Sequence, residues 1–268
     1  MYIFLFILSA LLYLTATFLP TRFQASISTI VAGAWLLHAA ALSGAIDEHG
    51  TLRIGFAVML SVTLWMSVAA YWLENRNFSL DGLRVLVMPC AAVAVILPVL
   101  FPGEQALLQA KSPLFSWHVA IAILAYGTLT IAAFHAVLMV LQETRLHTRP
   151  GVPSGWLATA IDRLPALMTM EKMLFRLIGF GFVLLTLTVV SGLVFSEQLF
   201  GKAFKWNHIT VFTLMSWALF GALLIGRHWR GWRGKTALRF TLSGFMALLL
   251  GYVGSRFVYE VILHRPFL

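Results

Sequence analysis

Histidine is the residue type in this sequence with the widest chemical scope. The chain has eight, and His118, His208 and His264 fall where long apolar runs begin or end. Aromatic residues accompany them, as in the stretch SPLFSWHVAIAILAYG, where Trp117 precedes His118. Neutral imidazole is a common metal ligand, and two facing imidazoles suit the axial positions of a haem iron. Aromatic and aliphatic side chains would suit the flat apolar macrocycle around that iron.

Other interpretations of these histidines stay open. A histidine at a helix end can simply be a solvated residue at the membrane interface. The polar loop around His49 favours this interpretation for that residue. His38 and His135 lie inside apolar segments, where an ionisable group is a functional candidate by default. A hydrogen bond to a neighbouring helix would satisfy them equally well. Zinc sites usually combine three or four ligands at short spacings such as H-x-x-x-H, a spacing that this sequence lacks.

The elements that position these residues are predicted to be membrane helices. Hydrophobic residues make up 60% of the chain and charged residues 11%, far from the usual composition of a soluble domain. A membrane helix needs about 20 mostly apolar residues. Eight segments qualify, at about 2–19, 27–45, 54–73, 84–101, 116–142, 172–195, 207–226 and 237–261. We therefore expect an all-α integral membrane protein, a single polytopic domain over 1–268 that crosses the bilayer about eight times.

The distribution of basic residues predicts the orientation. Of the 19 Lys and Arg residues, 13 fall in the loops after the odd-numbered segments. The positive-inside rule then places those loops in the cytoplasm and both termini outside, in the periplasm. The net charge of +9 has this explanation and needs no nucleic acid. Within the long 143–171 loop, GWLATAIDRLPALM is predicted either as a short helix on the anionic membrane surface or as a solvated connector.

Four stretches of the second half resemble the haem-handling cytochrome c assembly proteins, the CcsA/CcmC-like superfamily. One of them, RLPALMTMEKMLFRLIGFGFVLLTLTVVSG, resembles the stretch that leads into a long helix of that family. SPLFSWHVAIAILAYG is similar to the segment with that family's first external haem-ligating histidine, which maps to His118. SWALFGALLIGRHWRGWRGKTA resembles the helix end with a histidine near the cytoplasm, here His228. GYVGSRFVYEVILHRP falls where the family keeps its second external histidine, here His264. The haem-handling core is accordingly expected over about 110–268.

The sequence departs from this family at its tryptophan-rich external loop, of the type W-x-W-D-P-K-E. The corresponding stretch is FKWNHITVFTL, in which Trp206 remains, Asn207 replaces the acid and His208 interrupts the motif. This departure puts haem delivery to apocytochrome c in doubt. Two short branches of the superfamily, the YpjD-like and the HemX-type proteins, match the length better, and the YpjD-like branch is the more similar.

The resemblance implies a haem-binding protein of the bacterial inner membrane that acts in haem transfer or cytochrome c assembly, with haem b as ligand. His118 and His264 would be the axial ligands of the iron, and Trp117 and Trp206 would line the porphyrin. His208 belongs to the same outer set, while His228, together with His135 or His38, could mark a path for haem from the cytoplasmic side. Its partners would be the lipid bilayer, haem and other cytochrome c assembly proteins.

Two alternatives come from other functional classes. A HemX-like regulator would dock a haem-synthesis enzyme on the basic loops 143–171 and 227–239. An accessory to metal-ion transport is less expected, because the carboxylates are few and fall mostly in loops. No nucleophile elbow, P-loop or dinucleotide fingerprint is present, so we predict no enzyme. The single cysteine, Cys90, excludes an intramolecular disulfide.

Overall fold

The fold is an all-α bundle, as predicted. The computed structural model describes residues 2–44, 51–76, 80–107, 113–146, 155–162, 164–200 and 207–263. Its helices are α1 (Tyr2–Phe18), α2 (Gln24–Ser43), α3 (Phe56–Asn75), α4 (Asp81–Leu100), α5 (Pro113–Leu146), α6 (Trp156–Asp162), α7 (Leu167–Phe200), α8 (His208–Arg230), α9 (Gly234–Leu249) and α10 (Ser255–Phe257). A 3-10 turn, Thr21–Phe23, leads into α2, and the π turns Leu250–Gly254 and Val258–Ile262 flank α10.

Seven helical segments are long and apolar enough to cross a membrane. They are Thr21–Ser43, Phe56–Asn75, Asp81–Leu100, Trp117–Leu146, Leu167–Val194, His208–Arg230 and Gly234–Ile262. The remaining apolar helix, α1, has 17 residues and is therefore about 26 Å long. Together they are the eight segments that the sequence predicts, and they make the protein a multi-pass membrane protein.

A short pair of β-strands was not predicted. β1 (Thr51–Ile54) precedes α3, β2 (Glu104–Leu107) precedes α5, and the two strands pair antiparallel. The connection between α2 and α3 is thereby joined to the connection between α4 and α5. Both connections lie at the end of the bundle where α5 begins, which we call the His118 end. The opposite end, where α8 finishes, is the Arg227 end.

The interior is formed by close packing between antiparallel and parallel neighbours. α5 packs most extensively on α7, α1 on α2 and α4, α3 on α4 and α5, and α9 on α8 and α5. Among the largest fully buried side chains are Tyr13, Tyr71, Met88, Leu129 and Phe220. The last helical segment also reaches α3, because the Glu260 carboxylate accepts a hydrogen bond of 3.3 Å from the Phe56 backbone N–H. The chain therefore approaches residue 264 at the His118 end.

The predicted short helix in the long loop is present as α6. Ile161 and Leu164 are buried, and Leu164 packs against Gly82 at the start of α4. On the exposed side, the Arg145 guanidinium donates two hydrogen bonds, of 3.1 and 3.2 Å, to the Asp162 carboxylate. These bonds hold the pKa of Asp162 below its usual range. α6 is thus attached to α4 and α5, and its contact with the membrane surface stays a prediction.

Candidate functional site

His118 lies in the second turn of α5 and faces α7. Its Nδ1 is 2.7 Å from the Ser191 hydroxyl oxygen. The Ser191 hydroxyl donates its own hydrogen to the Leu187 carbonyl at 2.7 Å. The oxygen therefore accepts a hydrogen bond from Nδ1–H, and this network assigns the tautomer whose lone pair is on Nε2. Nε2 is thus the nitrogen through which His118 would coordinate a metal.

The imidazole lies against the α7 backbone next to Ser191. A Cβ placed at Gly192 would be 3.4 Å from Cε1 of His118, at van der Waals distance from the ring. The exposed surface on either side of Ser191 is apolar, with Val190 53% and Val194 47% exposed. Trp117, the residue before the histidine, is 69% exposed. Exposed apolar side chains are therefore the sequence neighbours of His118 on α5 and of Ser191 on α7.

The other predicted residues of this end are only partly described. His208 is the first residue of α8 and is exposed. The Asn207 side chain, which stands where the related motif has an acid, caps α8 by accepting a hydrogen bond of 2.8 Å from the Thr210 N–H. His264 and Trp206 lie outside the described residues. The structure therefore shows the surroundings of one of the two predicted iron ligands.

His38 has a different environment from His118. It is fully buried in α2, with Nε2 2.8 Å from the Ser61 hydroxyl and Nδ1 3.3 Å from the Tyr13 hydroxyl. Both ring nitrogens are thus engaged by side chains of α3 and α1. Hydrogen bonding to neighbouring helices accounts for this histidine, and it leaves neither nitrogen for an iron.

His228 lies at the opposite end of the bundle from His208. The two histidines are 20 residues apart on α8, a distance of about 30 Å along the helix axis. His228 is exposed in the last turn of that helix, beside Arg227 and Arg230. One haem cannot contact both ends, so His228 is separate from the His118 environment.

The sequence did not predict the pair formed by the fully buried His135 and the partly buried Glu74. Nε2 of His135 is 3.4 Å from Oε2 of Glu74, and Nδ1 is 3.0 Å from the Ile131 carbonyl. Glu74 belongs to the last turn of α3, because that helix runs two residues past its predicted end. The expectation that the carboxylates fall mostly in loops is also wrong for Glu143 and Glu171, which lie in α5 and α7. A prediction from hydropathy alone ends a helix too early when the last turn of that helix is polar.

Charged side chains connect the helices at the Arg227 end. Glu171, which is almost fully buried, forms ion pairs with Arg227 and with Arg233, whose Nε is 3.7 Å away. Lys235 pairs with Glu143 at 3.6 Å. These pairs join α7, α8, α9 and α5. Within the described ranges, no group of three or more His, Cys, Asp and Glu side chains is arranged to hold a metal ion.

The eight apolar helices define a polytopic α-helical membrane protein. Its candidate ligand site is the imidazole of His118, which is held near the start of α5. The chain belongs to the cytochrome c assembly protein family, whose sequence profile matches residues 1–263. The match includes the first four helices, beyond the region of about 160 residues that carries the sequence resemblance.

Individual relatives support the same family. The inner membrane protein YpjD of Escherichia coli K12 is 28% identical over 250 residues, which cover 90% of this chain and 88% of YpjD. The cytochrome c biogenesis protein CcsA of Guillardia theta is 27% identical over 157 residues, 55% of this chain and 52% of that protein. CcsA of Gloeothece citriformis is 25% identical over 234 residues, 71% of each chain. The resemblance to the CcsA-like and YpjD-like proteins is thereby confirmed.

Proposed function

We propose that this protein binds haem b at its His118 end and handles or transfers that haem during cytochrome c assembly. Family membership and the names of the CcsA relatives support the process. The name of the YpjD relative supports a location in a bacterial inner membrane. The protein would act by coordination and release of its ligand rather than by catalysis, and residues 1–268 would work as one domain.

The observation that carries this proposal is the Ser191–His118 hydrogen bond. A histidine that ligates a metal commonly donates its second ring N–H to a nearby acceptor, which fixes the ring and its tautomer. Ser191 supplies such an acceptor to Nδ1 at 2.7 Å and so fixes the tautomer in which Nε2 carries the lone pair. His264 would be the second axial ligand, because the chain reaches residue 263 at the same end.

The surroundings of His118 fit a large apolar ligand. Trp117, Val190 and Val194 provide exposed apolar surface beside the imidazole. Haem supplies an iron that accepts two axial imidazoles, surrounded by a flat apolar ring. His118 would hold the iron, Ser191 would orient His118, and the apolar side chains would contact the ring and exclude water from it. Trp206 and His208 would complete this boundary.

A second candidate function follows from the surface of the Arg227 end. Trp229 is 80% exposed, and it lies between the exposed residues His228 and Arg230. Lys235 and Arg239 on α9 are also exposed. This basic surface could dock a cytoplasmic haem-synthesis enzyme, as a HemX-like regulator would. Docking there needs no imidazole at the His118 end, so variants of His118 separate the two functions.

Visible absorption spectroscopy tests haem binding directly. The full chain is purified in mild detergent from haem-replete cells, and oxidised and dithionite-reduced spectra are recorded. We expect a Soret band and sharp reduced α and β bands for the wild type. His118→Ala and His264→Ala should each lose or shift these bands, because each removes one axial ligand. Ser191→Ala should keep the bands but weaken haem binding by about 10–100-fold, the usual effect of losing such an orienting partner.

His228→Ala is the matched control, because it removes an exposed imidazole at the other end of α8. Its spectrum should equal that of the wild type. A wild-type protein that is colourless and does not respond to added haemin contradicts the proposal, and so do His118→Ala spectra identical to those of the wild type. Either result would favour the docking function.

A further inference from the structure

His135 of α5 and Glu74 of α3 face each other near the Arg227 end of the bundle, apart from the His118 site. Nε2 of His135 is 3.4 Å from Oε2 of Glu74. The His135 side chain is fully buried, and the Glu74 side chain is 19% exposed although its Oε2 atom is itself enclosed. Ionisable side chains inside a membrane segment are rare, and they commonly belong to a functional site.

The other ring nitrogen shows what His135 presents to the carboxylate. Nδ1 is 3.0 Å from the Ile131 carbonyl oxygen, which can only accept a hydrogen bond. Nδ1 therefore carries a hydrogen, and in a neutral imidazole Nε2 then carries a lone pair. If Glu74 were ionised, this lone pair would face a carboxylate oxygen, and two acceptors would meet with no hydrogen between them.

One additional proton would remove this conflict. Nε2 of His135 and Oε2 of Glu74 both lack a hydrogen-bond partner among the described residues, whereas buried polar atoms are nearly always hydrogen-bonded. With one more proton, a neutral carboxyl group would donate to Nε2, or an imidazolium would donate to the carboxylate. In either form the pair has no net charge, which lowers the cost of its burial.

A metal ion is the other cation that these two atoms could bind. Zinc sites usually have three or four protein ligands, and the described part of the chain brings no third His, Cys, Asp or Glu side chain to this pair. A proton shared between a nitrogen and an oxygen needs only these two atoms. The arrangement therefore fits a proton better than a metal ion.

The charged side chains of α5, α6, α7 and α9 near this end have other partners or are exposed. The ion pairs are Glu143–Lys235, Arg145–Asp162 and those of Glu171 with Arg227 and Arg233. Lys172, Arg176 and Arg239 are exposed. Among the described residues, His135 is the one basic partner of Glu74.

The charged and titratable side chains of α2, α3 and α4 interact elsewhere too. Asp81 and Arg84 of α4 are buried, act electrostatically on Tyr71, and Nη2 of Arg84 donates to the Leu19 carbonyl at 3.1 Å. His38 of α2 is bonded to Ser61, 13 residues before Glu74 on α3. Arg76, which follows α3, is exposed, with its guanidinium carbon 4.6 Å from the centre of the Trp72 ring.

We propose that His135 and Glu74 form a proton-binding site within the membrane-spanning bundle. At neutral pH the pair takes one proton from the water at the Arg227 end, through the exposed part of Glu74, and holds it between Nε2 and Oε2. The bound proton joins α3, one of the first four helices, to α5. When the pH becomes alkaline, the pair returns the proton to the water and this contact weakens.

Infrared spectroscopy and nitrogen NMR of the full chain in detergent measure where the proton is. At neutral pH we expect either the carbonyl band of a protonated carboxyl group, which Glu74→Gln removes, or an imidazolium signal from His135. The His135 signal is the one that is absent from His135→Gln. Glu143→Gln is the matched control, because it removes a carboxylate of the same end that pairs with Lys235, and it should leave both signals unchanged. An ionised Glu74 beside a neutral His135 at neutral pH would overturn the proposal.

Thermal unfolding between mildly acidic and mildly alkaline pH tests the effect of the proton on the bundle. Glu74→Gln preserves the size of the side chain, and its amide N–H can donate to Nε2 at every pH. The melting temperature of the wild type should therefore fall by about 2–4 °C relative to that of Glu74→Gln as the pH rises, the effect of about one lost hydrogen bond. Glu143→Gln should follow the wild type. The same pH dependence in the wild type and in Glu74→Gln would contradict the proposal, and neither measurement needs haem at the His118 end.

Discussion

The two histidines His118 and His38 show how the partners of the ring nitrogens decide the use of an imidazole. Ser191 accepts from Nδ1 of His118, and this leaves the lone pair on Nε2. At His38, Ser61 and Tyr13 engage both nitrogens in the interior of the bundle. The sequence predicted both as haem contacts. The ligand role of His118 stays a proposal, while the hydrogen bonds of His38 give it a structural role.

Replacing His38 should therefore affect stability and leave haem binding intact. His38→Ala removes two interhelical hydrogen bonds, each worth about 0.6 kcal/mol in membrane proteins, and leaves a cavity. We expect a loss of about 2–3 kcal/mol in the free energy of unfolding, measured by denaturation in detergent micelles. Tyr13→Phe, which removes one of the two bonds and no volume of consequence, should cost about 0.6 kcal/mol. Bleaching of the Soret band in folded His38→Ala protein would show that His38 ligates the iron after all.

The turn between α8 and α9 is the element that brings the two helices together. Gly231, with φ of 66°, ends α8, and the N–H of Trp232 donates to the Gly226 carbonyl at 3.2 Å. Trp232 then folds back over Gly226 and contacts Phe240, with 4.9 Å between ring centres. A Cβ at Gly226 would collide with the Trp232 indole. The close approach of this ring requires glycine at residue 226.

Gly226→Ala should destabilise the bundle. Overpacking of this kind costs about 1–3 kcal/mol, because the indole must leave its position and give up its contact with Phe240. The comparison is with Gly179→Ala in α7, where a Cβ would meet nothing within 4 Å. That change should be neutral or stabilising by up to about 1 kcal/mol, because alanine is the better helix former. Thermal unfolding of both variants measures the difference. Equal melting temperatures would mean that the Trp232 contact does not restrain the turn.

Helices and contacts differ in how far the sequence predicts them. All eight membrane segments follow from apolar runs of sufficient length, and their ends shift by a few residues because polar last turns such as that of Glu74 stay helical. The contacts between His118 and Ser191 and between His135 and Glu74 join residues about 60–70 positions apart. They depend on the rotation of each helix about its axis, and an apolar segment whose whole circumference is hydrophobic does not specify that rotation. The strand pair was missed because each strand has only four residues.

At the scale of the whole molecule, the two ends of the bundle have different chemistry. The His118 end holds the candidate haem ligand and the paired strands, while the Arg227 end holds the ion pairs of Glu171 and Glu143. By sequence position, 13 of the 19 basic residues belong to the connections at the Arg227 end or to the helix turns next to them. The positive-inside rule predicts that this end faces the cytoplasm. Haem would then be held on the outer side.

Cysteine labelling measures this orientation. Because Cys90 is the only cysteine, a Cys90→Ala background accepts single reporters at exposed positions of either end. Leu263→Cys reports on the His118 end and Arg230→Cys on the Arg227 end, since both side chains are exposed. A membrane-impermeant maleimide should label Leu263→Cys in intact cells and Arg230→Cys only after permeabilisation. The reverse pattern would place His118 in the cytoplasm, where haem is made, and the protein would then act as an acceptor of newly made haem. Labelling of both positions in intact cells would show that the two ends do not lie on opposite sides of the bilayer.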